Sequence, residues 1–401
     1  MERIYASVVR DHFAHYRQMI FLNGPRQTGK TTISKSLENS ADFFTYLNWD
    51  IQEDREQILS GQRNLADFIK LNQLHNNIIV VFDELHKYLK WKNFLKGFFD
   101  AYKDKCHILV TGSQKLNVAQ RKGDSLMGRY FPFRVHPFSV AECIRQTLPI
   151  EPISKPASME RNLWEALWQF GGYPDPLIKQ EQRFLRRWQR LRDEQLLRED
   201  IRFLTQIHEL SQLEILAELL KRHSGQLTNY TNLSNKINVT TKTIQQWITT
   251  LERFYFCFRI SPWHKNISRS LLKEPKLYLW DWSGITDIGT KLENFIACHL
   301  LKAVNFWTDF GFGQFKLYFI RTKDKHEVDF VVTKDDHPWF LVEAKYSNNQ
   351  SISDNLYRFQ KATKAEHAFQ VVYDLDYIDA DCFVHKQPVI VPAKTFLSQL
   401  I

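Results

Sequence analysis

Cysteine is scarce and scattered. The 401 residues carry five, Cys106, Cys143, Cys257, Cys298 and Cys382, with no CxxC pair and no zinc-finger spacing. A disulfide framework and a structural zinc site are therefore both excluded as organising principles. Long apolar runs are missing too, since no stretch approaches the ~20 residues a membrane span needs. The opening "MERIYASVVRDHF" has no apolar core between basic residues and a small-residue cleavage site, so no secretory signal is visible. These absences lead to the expectation of a soluble, cytoplasmic chain without membrane contact. Internal repeats and low-complexity tracts are also lacking. What is present is 43% hydrophobic and 14% aromatic residues, which excludes disorder. At roughly 150 residues per domain, two or three domains are expected. The net charge of +9 permits an anionic partner, without identifying one.

Texture divides the chain. Residues 1–146 alternate helical patterns with the apolar runs "QMIFLNG", "NNIIVVFDE" and "CHILVTGS", as a parallel α/β sheet does. "TLPIEPISKPAS", residues 147–158, has three prolines in twelve positions and reads as a linker. Residues 159–210 are helical and arginine-rich, with seven arginines in "RFLRRWQRLRDEQLLREDIR". Residues 211–285 form a small helical segment that ends in strands, and residues 286–401 return to α/β texture through "KLYFIR", "EVDFVVT", "WFLVEAKYS" and "AFQVVY".

"GPRQTGKT" is the most informative octet. It matches G-x-x-x-x-G-K-[ST], follows the strand "MIFLN" and opens the helix "KTTISKSLEN", as a phosphate-binding loop requires. Gly24, Pro25, Arg26, Gln27, Thr28, Gly29, Lys30, Thr31 and Thr32 are the expected nucleotide contacts. Glycines let backbone N–H groups turn toward phosphate oxygens, and the helix N-terminus adds its positive dipole end. Lys30 would reach the β and γ phosphates of ATP, and the Thr31 hydroxyl would ligate Mg²⁺. "IIVVFDELHKY" ends an apolar strand in Asp83 and Glu84, a Walker B pattern. Asp83 would hold the Mg²⁺ shell and Glu84 would orient the attacking water. Thr111 and Ser113, at the tip of "HILVTGS", are either sensor hydroxyls or turn residues.

With these motifs, "DELHKYLKWKNFLKGFFD", "TGSQKLNVAQRKGDSLMGRYFPFRVHPFSVAE" and "GGYPDP" together resemble a family of prokaryotic AAA+-type ATPases that carry a C-terminal domain of unknown function. The resemblance covers essentially the whole chain. It differs at Gln114, which follows "TGS" where the family has a small residue. The resemblance implies an arginine that completes a neighbour's site. "GRYFPF" makes Arg129 the candidate finger, which would require at least a dimer. The same arginine could equally pair with a local carboxylate.

In the middle segment a turn at "INVT" precedes a helix from about Thr241 to Leu251, the spacing of a winged helix-turn-helix. Ile244, Trp247 and Leu251 share one face, and Lys242, Gln245 and Gln246 point outward. Such a helix reads DNA in some winged helices and contacts protein in others. Further on, "HEVDFVVTKDDHPWFLVEAKYS" puts Asp329 on one strand and Glu343 with Lys345 on the next, across a hairpin turn. Alternation sets Glu343 and Lys345 on one face. A solvated edge strand would suffice for that pair alone. The D…E-x-K order, with Glu293 on the preceding helix, resembles PD-(D/E)xK nucleases, although "VD" replaces "PD". The resemblance implies Mg²⁺ held by Glu293, Asp329 and Glu343, and a water oriented by Lys345. It implies the fold without implying cleavage.

The sequence thus predicts an α/β P-loop NTPase sheet, then a helical and winged helix-turn-helix region, then a restriction-endonuclease-like α/β domain. The expected function is an ATPase whose nucleotide state regulates DNA engagement, with metal-dependent cleavage as a further activity. The competing expectation is a slow ATPase switch that scaffolds a protein partner and carries an inactive nuclease-like domain.

Overall fold

The computed structural model describes residues 1–73, 77–113, 126–201, 207, 209–264, 274–347 and 351–401. Gln114 therefore lies outside the described residues. Two compact units emerge, residues 1–136 with 145–148, and residues 137–144 with 149–401.

The first unit is built on strands β1 (Met19–Asn23), β2 (Phe43–Asn48), β3 (Ile78–Asp83), β4 (His107–Gly112) and β5 (Tyr130–Arg134), in the order β2-β3-β4-β1-β5. Every pairing is parallel. Helices α1 (Ile4–His15), α2 (Lys30–Lys35), α3 (Gln52–Leu59), α4 (Gln62–Phe68) and α5 (Trp91–Tyr102) complete it. The three central strands are wholly buried, which is why they read as continuous apolar runs. α5 repeats Trp91, Leu95, Phe98 and Phe99 at helical spacing and buries them against Phe21, Val80 and Phe82. Register aligns Leu22 with Thr111 and Asn48 with Asp83. The phosphate loop, Asp83 and Thr111 thereby come to the C-terminal edge of one sheet, where open α/β sheets bind ligands.

The second unit contains helices α6 (Val140–Ile144), α7 (Arg161–Phe170), α8 (Pro174–Lys179), α9 (Gln182–Glu194), α10 (Leu210–Arg222), α11 (Tyr230–Ile237), α12 (Thr241–Arg253), α13 (Ile288–Asp309), α14 (Asp354–Thr363) and α15 (Ala393–Ser398). Its strands are β6 (Cys257–Pro262), β7 (Lys276–Leu279), β8 (Phe315–Arg321), β9 (Glu327–Lys334), β10 (His337–Lys345), β11 (His367–Val372) and β12 (Val389–Pro392), in the order β12-β11-β10-β9-β8-β6-β7. β8, β9 and β10 form an antiparallel meander, after which β11 and β12 add in parallel. Asp335 and Asp336, both at positive φ, make the β9–β10 turn, as a tight hairpin connection requires. The expected linker, residues 147–158, holds no helix or strand, and α6, grouped with residues 1–146 by the sequence, lies in this second unit.

Candidate functional site

The phosphate loop is shaped by what its backbone must avoid. A side chain at Gly24 would put its Cβ 2.2 Å from the Val135 carbonyl oxygen, so only glycine lets the loop pass there. Gly29, at φ +86°, precedes α2 in the left-handed region, which favours glycine. Thr28 Oγ1 donates to Pro25 O at 2.8 Å and ties the loop across itself. The Arg3 guanidinium, itself buried, donates to the Thr28 and His136 carbonyls. Arg3 carries no motif, and the sequence reading missed it because it lies far from the loop along the chain.

Lys30 is 6% exposed, and its ammonium donates to Gly24 O at 2.9 Å and Pro25 O at 2.6 Å. Burial pulls its pKa down to about 8, against the opposing pull of Glu84 and Asp83. An arriving phosphate would relieve that cost. Across the sheet edge, Thr31 Oγ1 donates to Asp83 Oδ2 at 3.1 Å, and Thr111 and Tyr46 also donate to the Asp83 carboxylate. Tyr46 is a further partner that motif reading missed. Burial, followed by its bond to Asp83, raises the Tyr46 pKa, so it stays a donor. Ser113 Oγ donates to Glu84 Oε2 at 3.1 Å, while Thr111 serves Asp83. The two hydroxyls at the β4 tip thus divide between the two acids of the Walker B pattern. The Gly24 cradle and the adjoining Thr31 and Asp83 oxygens fit a nucleotide phosphate and one Mg²⁺, an ion that takes few protein ligands beside phosphate oxygens.

Arg129 is paired within the chain, Nε donating to Asp100 Oδ1 at 2.7 Å and Nη2 to Oδ2 at 3.0 Å. That bond is the leading reason its pKa rises and the Asp100 pKa falls.

In the second unit, α10, α11 and α12 are followed by the antiparallel pair β6–β7, and Leu227 bridges Lys276 on the other side of β7. α12 is capped at its N-terminus by Thr240, whose Oγ1 accepts from Thr243 N at 3.1 Å. Ile244, Trp247, Ile248 and Leu251 are buried, whereas Lys242, Gln245, Gln246 and Thr249 are exposed.

Asp329, Glu343, Lys345 and Glu293 surround one face of the large sheet. Asp329 Oδ2 accepts from Ala344 N at 2.9 Å. Burial, then the charges of Glu293 and Glu343, hold its pKa well above the usual carboxylate range. Lys345 Nζ donates to Glu343 Oε1 at 3.0 Å, and Glu343 Oε2 is buried with no partner among the described residues. Three groups that the sequence reading did not anticipate, Lys276, Glu327 and Tyr278, enter here. Lys276 Nζ lies 2.8 Å from Glu293 Oε1, 2.5 Å from Glu327 Oε1 and 3.9 Å from Asp329 Oδ1, and Tyr278 OH donates to Glu293 Oε1 at 2.7 Å. Among the described residues no group of three or more His, Cys, Asp or Glu is arranged to hold a metal ion. No described helix is long and apolar enough to cross a membrane.

The chain also resembles known proteins in parts. Residues 161–287 and 288–389 match two models, each described as a domain of unknown function, DUF8612 and DUF4143. An uncharacterized protein of Mycobacterium tuberculosis is 22% identical over 360 residues, which cover 85% of this chain and 73% of the relative. One from Haemophilus influenzae is 20% identical over 359 residues, covering 84% of each. Among solved structures, the replication initiator DnaA bound to AMPPCP and single-stranded DNA is similar at 11% identity and TM-score 0.31, over 61% of this chain and 86% of that one. PCH-2 of C. elegans is similar at 19% identity and TM-score 0.24, over 34% of this chain and 41% of that one. A model described as an AAA domain matches residues 16–144, the stretch that builds the five-stranded parallel sheet and its phosphate loop, so the first unit resembles an AAA-type P-loop domain.

Proposed function

We propose that this chain binds and hydrolyses ATP and that its nucleotide state regulates engagement of DNA by the second unit. The observation that carries the first half is the convergence of Lys30, Thr31, Asp83 and Glu84 at one sheet edge, each with a distinct chemical part. Lys30 neutralises phosphate charge. Thr31 and Asp83 would hold Mg²⁺, which supplies further charge neutralisation on the phosphates. Glu84, hydrogen-bonded by Ser113, orients water for in-line attack on the γ phosphate and takes its proton. Lys30→Ala should lose nucleotide binding and turnover together. Wild-type turnover in that variant would end the proposal.

Support for DNA engagement comes from α12, whose exposed Lys242, Gln245 and Gln246 offer hydrogen-bonding groups suited to base edges and phosphates. The three helices with the β6–β7 pair have the order of a winged helix-turn-helix. Binding to duplex DNA that weakens steeply with salt supports this reading. Absence of DNA affinity at low salt would favour the alternative, a switch that scaffolds a protein partner. Cleavage is tested by incubating DNA with Mg²⁺ or Mn²⁺, with and without ATP, and comparing Asp329→Ala and Lys345→Ala with wild type. A cut lost in both variants would assign Asp329 and Lys345 to catalysis. The position of Lys276 among the acids favours the version in which this domain binds without cutting.

A further inference from the structure

We infer that the ammonium of Lys276 occupies the place a divalent cation would take among Glu293, Glu327 and Asp329, so that this carboxylate face is held together by a resident lysine instead of a metal. The inference rests on reading the face as nuclease-like. Three carboxylates converge on Lys276 Nζ, at 2.8, 2.5 and 3.9 Å. The two shorter separations suit an N⁺–H···O⁻ bond and exceed the ~2.1 Å that Mg²⁺ demands of its oxygens. The lysine side chain is 5% exposed, so it does not reach this position from solvent.

Nor can it easily leave. Lys276 pairs with Ile260 on one side and bridges Leu227 on the other, so its backbone is fixed across the sheet. The Phe319 ring lies 5.7 Å from Nζ, within range of a cation–π contact. Glu293 is hemmed in by Gly225, where an added Cβ would come 3.3 Å from Oε2, and it also accepts from Tyr278. Glu327 divides its oxygens between Lys276 and Arg321. One buried oxygen is left over, Glu343 Oε2, without a partner among the described residues. A carboxylate oxygen buried without a donor is costly, and Lys345, which donates to Oε1 of the same carboxylate, leaves it unpaired.

The test is Mn²⁺ binding to the full chain without nucleotide, measured calorimetrically for wild type, Asp329→Asn, Lys276→Met and the double variant. Wild type and Asp329→Asn should behave alike. Lys276→Met should gain one saturable Mn²⁺ site, at least about tenfold tighter than any in wild type, and the double variant should lose it. Lys276→Met that folds only when Mn²⁺ is supplied would make the same point, whereas failure to fold even with Mn²⁺ counts against it. Mn²⁺ binding in wild type that depends on Asp329 would overturn the role of the lysine and leave the nuclease-like reading standing. A folded Lys276→Met with no new Mn²⁺ site would overturn both.

Discussion

His299, on α13, has both ring nitrogens committed: Nε2 accepts from Val140 N at 3.1 Å, so Nδ1 carries the proton and donates to Phe295 O at 2.7 Å. Burial drives its pKa down to about 3. The folded state therefore holds a neutral ring, while the unfolded chain takes up a proton below about 6.5. Stability present above that pH is lost as pH falls toward 3, at on the order of 1 kcal/mol per pH unit. His299→Gln should lower stability at pH 7.5 yet flatten the decline between pH 6 and pH 4 in urea unfolding. Parallel declines in the two proteins would refute the assignment. Glu84 is the second informative residue, because it sits at φ +55°, strained for a side chain with a Cβ. Glu84→Gln keeps that geometry and loses the base, so ATP binding should persist while turnover drops at least about 100-fold, checked by nucleotide binding alongside phosphate release. Residues such as Lys30 and Asp83 were legible because a phosphate loop and its acid are each contained in a few consecutive positions. Arg3, Tyr46 and Lys276 were not, since each meets its partners only after the chain has folded back on itself.

Among the elements, the strands that escaped the sequence have a shared cause. β2, β5 and β12 are all terminal strands of their sheets. β2 is half-buried along almost its whole length, so it lacks the unbroken apolar run of a central strand. β5 contains Pro132, which argues against a strand except at an edge, where no neighbour needs its missing N–H. β12 is only four residues long. α12, by contrast, was legible from its 3.6-residue spacing, and its two faces give separable predictions. Trp247→Ala, on the buried face, should cost about 3–5 kcal/mol in denaturant unfolding. Lys242→Ala, on the exposed face, should leave stability within about 0.5 kcal/mol and lower the salt slope of DNA binding by about one counterion. An unchanged slope would remove Lys242 from the contact.

For the whole molecule, the proposed regulation of DNA engagement by nucleotide would oblige a return effect of equal size. If ATP tightens DNA binding by some factor, saturating DNA must tighten ATP binding by that same factor. Titrating each ligand in the presence and absence of the other tests this, and two equal factors of one mark nucleotide and DNA as independent. Arg129 belongs to the same scale, because the proposed finger would complete a neighbouring copy's site. Arg129→Ala should depress ATPase activity while retaining nucleotide affinity, and wild-type activity that rises with protein concentration should lose that rise. Normal activity in the variant would leave Arg129 as the partner of Asp100 alone.

The two matches of unknown function meet between residues 287 and 288, yet β6 crosses that border by pairing antiparallel with β7 and parallel with β8, Ser261 against Tyr318 and Pro262 against Phe319. A cut there would divide a single hydrogen-bonded sheet. The later fragment would expose the flank of β8 as a bare edge, open to pairing with other chains, and the earlier one would lose the acids that neutralise Lys276. The two segments are therefore expected to travel as one heritable piece: a transplant of either half into another protein should misfold unless its neighbour goes with it.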